Sequence, residues 1–176
     1  MHDARAATAA SADRCMSDWL SSMRIAEHDS AQLPPHHEGC LGCGPTNPHG
    51  HHLRVHRQGD GVIAVHAFDE RHVGAPGIAH GGAVATVLDD LFGFLLYAVG
   101  ELAVTRKLEV EYLAPVILQT EYTLHAEMLS RNGRKLRLGA SVEDKNGKLV
   151  ATADALFIVV DAEHFTLRAP VIQARR

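Results

Sequence analysis

Nineteen consecutive residues, Gly81 to Val99, contain no basic side chain, no proline and only two charges, the adjacent Asp89 and Asp90. The run is too long for a strand, and Gly100 follows it where a helix end favours glycine, so it reads as one long helix. At 100° per residue Val84, Val87, Leu88, Leu91, Leu95, Ala98 and Val99 form one broad apolar face. Only a thin strip, Thr86, Asp89, Asp90, Gly93 and Tyr97, is left over. A helix this apolar cannot rest on one flat face in water; the rest of the chain must curl around it. The two carboxylates are the anomaly, because burying an acid is costly. The strip reads either as a solvated side or as a site. Asp89, beside the Phe92 and Leu96 edge, is expected to be the more desolvated acid, and Asp90 to be solvated or at an interface.

What surrounds the helix reads as strand. Leu53 and Val55 alternate with polar residues, Gly59-Asp60-Gly61 makes a turn, and residues 62–68 return as a second strand. A loop over 69–79 leads into the helix. Four strand-like runs follow, at 102–112, 119–129, 135–143 and 149–160, with turns at Pro115, at Arg131-Asn132-Gly133 and at Asp144-Lys145-Asn146-Gly147. Short hairpins favour antiparallel pairing, so the fold class is α+β, a long central helix wrapped by a curved antiparallel sheet. Upstream, residues 1–12 are alanine-rich, and Met16, Trp19, Leu20 and Met23 have helical spacing within a short helix ending near Ala26. The expected layout is an extension over 1–37, the main domain over 38–162 and a tail over 163–176.

At 176 residues, 46% of them hydrophobic, the chain suits one domain with a proper core. A net charge of −4 with scattered basic residues argues against a nucleic-acid partner. No uninterrupted apolar run reaches the roughly 18 residues of a membrane span, since the aspartates break the longest. No basic segment followed by an apolar one marks the first thirty residues as a secretory signal, so a cytoplasmic location without a membrane partner is expected. Cys15, Cys40 and Cys43 are an odd set, in keeping with a reducing compartment.

The helix start supplies the chemistry. Backbone N–H groups at Gly81 and Gly82 have no intrahelical acceptor, the helix dipole favours negative charge there, and the missing Cβ lets a carbonyl approach. Donors that hold an oxyanion, together with a carboxylate that activates water, suit acyl transfer. Eight residues separate Gly81 from Asp89, about 12 Å at 1.5 Å rise per residue, so both cannot act on one carbonyl within one chain. If they cooperate, two antiparallel helices related by a two-fold axis must each supply half of the site. Small residues on the polar strip would permit that approach.

His80-Gly81-Gly82 with Asp89 nine positions after the histidine, then Thr105-Arg106-Lys107-Leu108-Glu109-Val110-Glu111-Tyr112-Leu113-Ala114-Pro115, resembles the hotdog-fold acyl-CoA thioesterases of the phenylacetate-pathway type. The likeness spans about residues 38–160 and includes Cys40-Leu41-Gly42-Cys43-Gly44 and Asn47-Pro48-His49-Gly50. It implies hydrolysis of an acyl-CoA thioester without a cofactor, by homodimers that often assemble further into tetramers. It implies Asp89 as base or nucleophile, the Gly81 amide on the carbonyl and Thr105 positioning water. His80 then orients the loop rather than acting as a general acid, and Gly82, the second backbone donor at the helix start, counts with the catalytic set. Where many members carry Asn six positions before the histidine, this chain has Gly74. That departure keeps a non-catalytic acyl-CoA or acyl-ligand binding protein as the alternative.

Coenzyme A phosphates call for basic residues, and Arg131, Arg134 and Lys135 at a strand turn are the candidates, with Arg106 and Lys107 second. Phe92, Leu96 and Tyr97 are candidates for the acyl group, and equally for the core. Cys40-x-x-Cys43, with His36, His37, His49, His51 and His52 nearby, offers enough ligands for zinc but lacks the usual second pair. The reading adopted is cysteines that pack the segment, with no metal.

Overall fold

The structure, a computed structural model, describes residues 32–166. The expected helix over 13–26 lies outside the described residues, as do Cys15 and most of the expected extension and tail. Eight strands and one long helix make up the body: β1 (Val55–Gln58), β2 (Gly61–Ala67), β3 (Val73–Ala75), β4 (Ile78–Ala79), α1 (Gly81–Val99), β5 (Ala103–Tyr112), β6 (Glu121–Asn132), β7 (Lys135–Glu143) and β8 (Leu149–Val159). A short helix α2 (Glu163–Thr166) follows. Six strands form one antiparallel sheet in the order β1-β2-β6-β7-β8-β5, and β3 and β4 pair separately.

Alternation decides which way each strand faces. Val62, Ala64 and His66 of β2, Tyr122, Leu124 and Ala126 of β6, and Leu136, Leu138 and Val142 of β7 point inward. They meet Val84, Val87, Leu88, Leu91, Phe94 and Leu95 of α1, all buried. Each such side chain removed from water contributes about 1.5–3 kcal/mol, which holds the helix on the sheet. By length and composition α1 would pass for a membrane span in spite of its aspartates; packing against β1, β2, β5, β6 and β7 accounts for its apolarity.

The helix begins and ends where the sequence places it. His80 is the N-cap and Gly100 the left-handed C-cap at φ 69°, its N–H bonded to the Leu96 carbonyl. Gly59, Gly133 and Gly147 make the hairpin turns at positive φ, and the Asp144 carboxylate accepts from the Asn146 and Lys148 amides. The segment 69–79, expected as loop, instead holds a 3-10 turn, Glu70–His72, capped by Asp69, and the β3–β4 hairpin turning at Gly77. These elements are too short to show a hydrophobic period.

Two expectations change. Phe92 and Leu96, candidates for the acyl group, are core residues: Phe92 is fully buried with its ring edge toward Phe157, and Leu96 is buried beside it on the helix. The thin polar strip of α1 is not left for a partner helix along its whole length either. The loop over residues 36–44 covers much of it.

Candidate functional site

Asp89 lies halfway along α1, and its Oδ1 accepts a hydrogen bond from Thr105 Oγ1 at 2.9 Å. Thr105 is on edge strand β5 at a bulge, where the pairing with β8 shifts between Thr105 and Lys107. Bulges re-aim side chains, and this one presents the hydroxyl to the helix. Burial raises the Asp89 pKa above the ordinary carboxylate range, and the Thr105 bond partly opposes it. The pair that the resemblance implies is thus in contact within one chain.

At the helix start the two glycines differ. The Gly82 N–H donates to His80 Nδ1 at 2.8 Å, closing the cap, so it is not a free donor to a substrate. This corrects the pairing of both glycines as donors, and it makes the His80 side chain the acceptor for the first turn of the helix. The Gly81 N–H has no acceptor among the described residues, while the Gly81 carbonyl accepts from Tyr112 Oη at 2.7 Å. Tyr112, at the end of β5, thereby fixes the turn that presents the Gly81 amide; no local pattern in the sequence signals this contact across 31 positions. Around this end Val73, Tyr112, Leu113 and Ile117 are large apolar residues left exposed.

Gly74 has a steric explanation. A Cβ there would sit 2.6 Å from His80 Cα, because the irregular β3–β4 pairing presses Gly74 against the cap residue. An asparagine side chain has no room at that position in this backbone.

The basic candidates stand at the other end. Arg131 pairs with Glu101 just past the helix C-terminus, and Arg134 Nε donates to the Val159 carbonyl at 2.8 Å. With Lys135 they sit on the β6–β7 hairpin, a helix length from Gly81 in the same chain. Arg106 and Lys107 are exposed on β5, the latter paired with Glu109 at 2.6 Å. A concavity of about 970 Å³ is lined by residues such as Val62, Val99, His125, Met128 and Asp154, and includes neither Asp89 nor Gly81.

Asp90 departs most from expectation. It is the more enclosed acid, with its side chain 9% exposed. Its Oδ1 lies 3.0 Å from His36 Nδ1 and 3.2 Å from Cys40 Sγ, and Cys43 Sγ lies 3.3 Å from the same imidazole nitrogen. Burial acts to lower the His36 pKa, but Asp90 and Cys40 outweigh it and lift the value to about 9. Cys40 is held down to about 3 by the Cys43 thiol first of all, and Cys43 is correspondingly raised. Burial raises the Asp90 pKa against the pull of His36. Of the histidines grouped near the cysteines in the sequence, His36 is the one that joins them here.

His51 belongs to a second cluster. Its ring stacks on His72 at 3.8 Å between centroids and lies 5.7 Å from His66, and His72 Nδ1 is 3.3 Å from Asp69 Oδ1. Burial first, then mutual repulsion, pushes His51 down to about 3 and His66 to about 4. The sequence signal for His66 was its parity with Val62 and Ala64 on β2.

Comparison with known proteins agrees with this architecture. The family profile described as Thioesterase superfamily matches residues 76–151. Acyl-coenzyme A thioesterase THEM4 of Rattus norvegicus is 32% identical over 91 residues, 51% of this chain and 39% of that protein. The Mus musculus protein of the same name is 34% identical over the same shares. The chain thus spans about two fifths of the length of these curated relatives. Among solved structures, thioesterase superfamily protein RHA08564 superposes with a TM-score of 0.66 at 24% identity, covering 69% of this chain and 60% of that one. A hypothetical thioesterase from Streptococcus pneumoniae TIGR4, solved with coenzyme A, gives 0.58 at 20% identity, covering 61% and 85%. That protein has also been solved with an aspartate and, separately, a threonine replaced by alanine, the two sixteen positions apart. The PaaI protein of the E. coli phenylacetic acid degradation operon gives 0.59 at 13% identity, covering 63% and 81%. The chain has the hotdog thioesterase fold.

Proposed function

We propose that this protein hydrolyses an acyl-CoA thioester in a site shared between two copies of the chain, with Asp89 as base and the Gly81 N–H as oxyanion donor. The observation that carries the reading is the Thr105–Asp89 contact at 2.9 Å on a half-buried stretch of α1. The sixteen-residue spacing of that pair matches the spacing of the two positions replaced in the streptococcal thioesterase.

Asp89 takes a proton from water as the oxygen adds to the thioester carbonyl carbon. Negative charge developing on the carbonyl oxygen is received by the Gly81 N–H at the positive end of the helix dipole. The tetrahedral intermediate collapses by breaking the C–S bond and expels the thiolate. A thiol has a pKa of about 8.5, so the leaving group needs little acid assistance, and one base with one oxyanion donor suffices. The thiolate then takes up a proton and departs as coenzyme A with the free acid.

The 12 Å or so between Gly81 and Asp89 supports completion of the site by a partner. The exposed Val73, Tyr112, Leu113 and Ile117 around the helix start are suited to being covered by a second copy. If the two helices run antiparallel, the C-terminal end of one lies beside the N-terminal end of the other. That arrangement brings Arg131, Arg134 and Lys135 of each chain toward the partner's Gly81, where the phosphates of coenzyme A would enter.

The test is release of free thiol from a panel of acyl-CoA esters by the purified chain and by Asp89→Asn. Turnover by the parent and a loss of at least a hundredfold in kcat, with the oligomer intact by light scattering, is the expected result. Undiminished hydrolysis by Asp89→Asn refutes the assignment; tight binding of acyl-CoA with no turnover by the parent establishes the binding-protein alternative.

A further inference from the structure

We propose that His36, Cys40, Cys43 and Asp90 form a closed tetrahedral site for one zinc ion, which clamps the loop over residues 36–44 to the central helix. One donor atom from each residue, Nδ1, two Sγ and a carboxylate oxygen, lies within 4.8 Å of all the others. With metal–ligand distances of about 2.0–2.3 Å, a zinc tetrahedron has edges of about 3.3–3.8 Å. Three of the separations here, 3.0, 3.2 and 3.3 Å, are already at or just under that size, and the widest, within 4.8 Å, closes on an ion with an adjustment of about an ångström.

The donor set selects the metal. Two thiolates and an imidazole disfavour magnesium and calcium, which take oxygen, and four protein ligands leave no open position of the kind a catalytic zinc keeps. The backbone is arranged to match. The His36 amide donates to Cys43 Sγ at 3.2 Å, which steadies a sulfur carrying negative charge. The loop closes on itself through Gly44 N to the Cys40 carbonyl and Cys40 N to the His37 carbonyl. Gly42 and Gly93 are the small residues that let loop and helix meet. A Cβ on Gly42 would stand 2.2 Å from Asp90 Cγ, and one on Gly93 would stand 2.8 Å from His36 Cε1.

Sequestered behind these contacts, Asp90 Oδ2 has no hydrogen-bond partner among the described residues. A carboxylate this enclosed beside two sulfurs needs a cation, and a divalent ion supplies more charge than one imidazolium. Zinc binding displaces the remaining protons of the thiols and of His36 Nδ1 to solvent. The consequence reaches the neighbouring acid. Asp89 and Asp90 are 100° apart around α1, so an ion that fixes Asp90 on the loop side fixes the rotation that presents Asp89 to Thr105. Asp90 is in this sense a positioning residue.

The full chain, made without a histidine tag and purified under reducing conditions, is to be measured for metal by plasma mass spectrometry, then stripped and refilled with cobalt(II). The expected result is about one zinc per chain. The cobalt form should show intense tetrahedral d–d bands and sulfur-to-metal charge transfer. Cys40→Ser/Cys43→Ser should abolish binding, Asp90→Asn should weaken it at least tenfold, and His37→Ala should leave it unchanged. A folded parent chain that holds no zinc and takes up no cobalt overturns the proposal, as does a cobalt spectrum without sulfur charge transfer. These two readouts need only the parent chain, so they decide the matter even where a variant fails to fold. They are also independent of thioester hydrolysis, so this inference and the proposed activity can fail separately.

Discussion

His66 should make the protein labile to acid in a measurable and removable way. Its side chain is on the inward face of β2, 8% exposed, edge-on to Phe68 at 4.8 Å. Burial, reinforced by His72, takes its pKa from the ordinary 6.5 down to about 4. The unfolded chain therefore binds a proton below about pH 6.5 that the folded chain refuses until about pH 4. Stability is full above the higher value and falls as pH drops through the window between them. Integrating the linkage relation from pH 7 to pH 4.5 gives a loss of about 2.4 kcal/mol from this one group. His51, pushed down to about 3, steepens the fall further. The assay is urea unfolding of the parent and of His66→Leu at the two pH values, at one protein concentration so that association does not enter. Whatever the stability of His66→Leu at neutral pH, the quantity compared is the change between the two pH values, which should be about 2 kcal/mol smaller in the variant. Parallel behaviour of the two proteins within about 0.5 kcal/mol would refute the assignment of a neutral, buried His66.

Thr105→Val removes the hydrogen bond that favours the charged form of Asp89, so the acid limb of kcat/KM against pH should move upward and the plateau fall roughly tenfold. An unmoved limb would separate Thr105 from the base. Gly74→Asn, which places there the residue that the resemblance leads one to expect, should not raise turnover; pressed against His80, it should cost about 1–3 kcal/mol in chemical unfolding. Gly100→Ala should cost about 1 kcal/mol in thermal unfolding, because the C-cap backbone is left-handed at φ 69°.

Much of the candidate site was legible because it lies on one regular element. Gly81 and Asp89 follow from a helix whose extent the sequence marks by its apolar run and Gly100, and helical rise alone separates the two proposed halves of the chemistry; the cap at His80 came from the structure. The strands were legible wherever an alternating face was long enough to show, and β7 runs over the very residues 135–143 that alternation gives. The β3–β4 hairpin and the bulge at Thr105 were not, since each depends on pairing with distant residues rather than on local period.

The sequence by itself determined that a long apolar helix must be wrapped by the remainder of the chain, and that two carboxylates on it needed an account. Only the tertiary structure decided what each acid meets. Asp89 and Asp90 are adjacent and chemically identical, and a sequence cannot tell which of two neighbouring carboxylates a distant segment will cover. The 36–44 loop folds onto the side of α1 that bears Asp90, gathering His36, Cys40 and Cys43 around it, while strand β5 brings Thr105 to Asp89. The physical reason is the 100° turn between successive helical residues, which sends two like groups to different neighbours fifty and sixteen positions away.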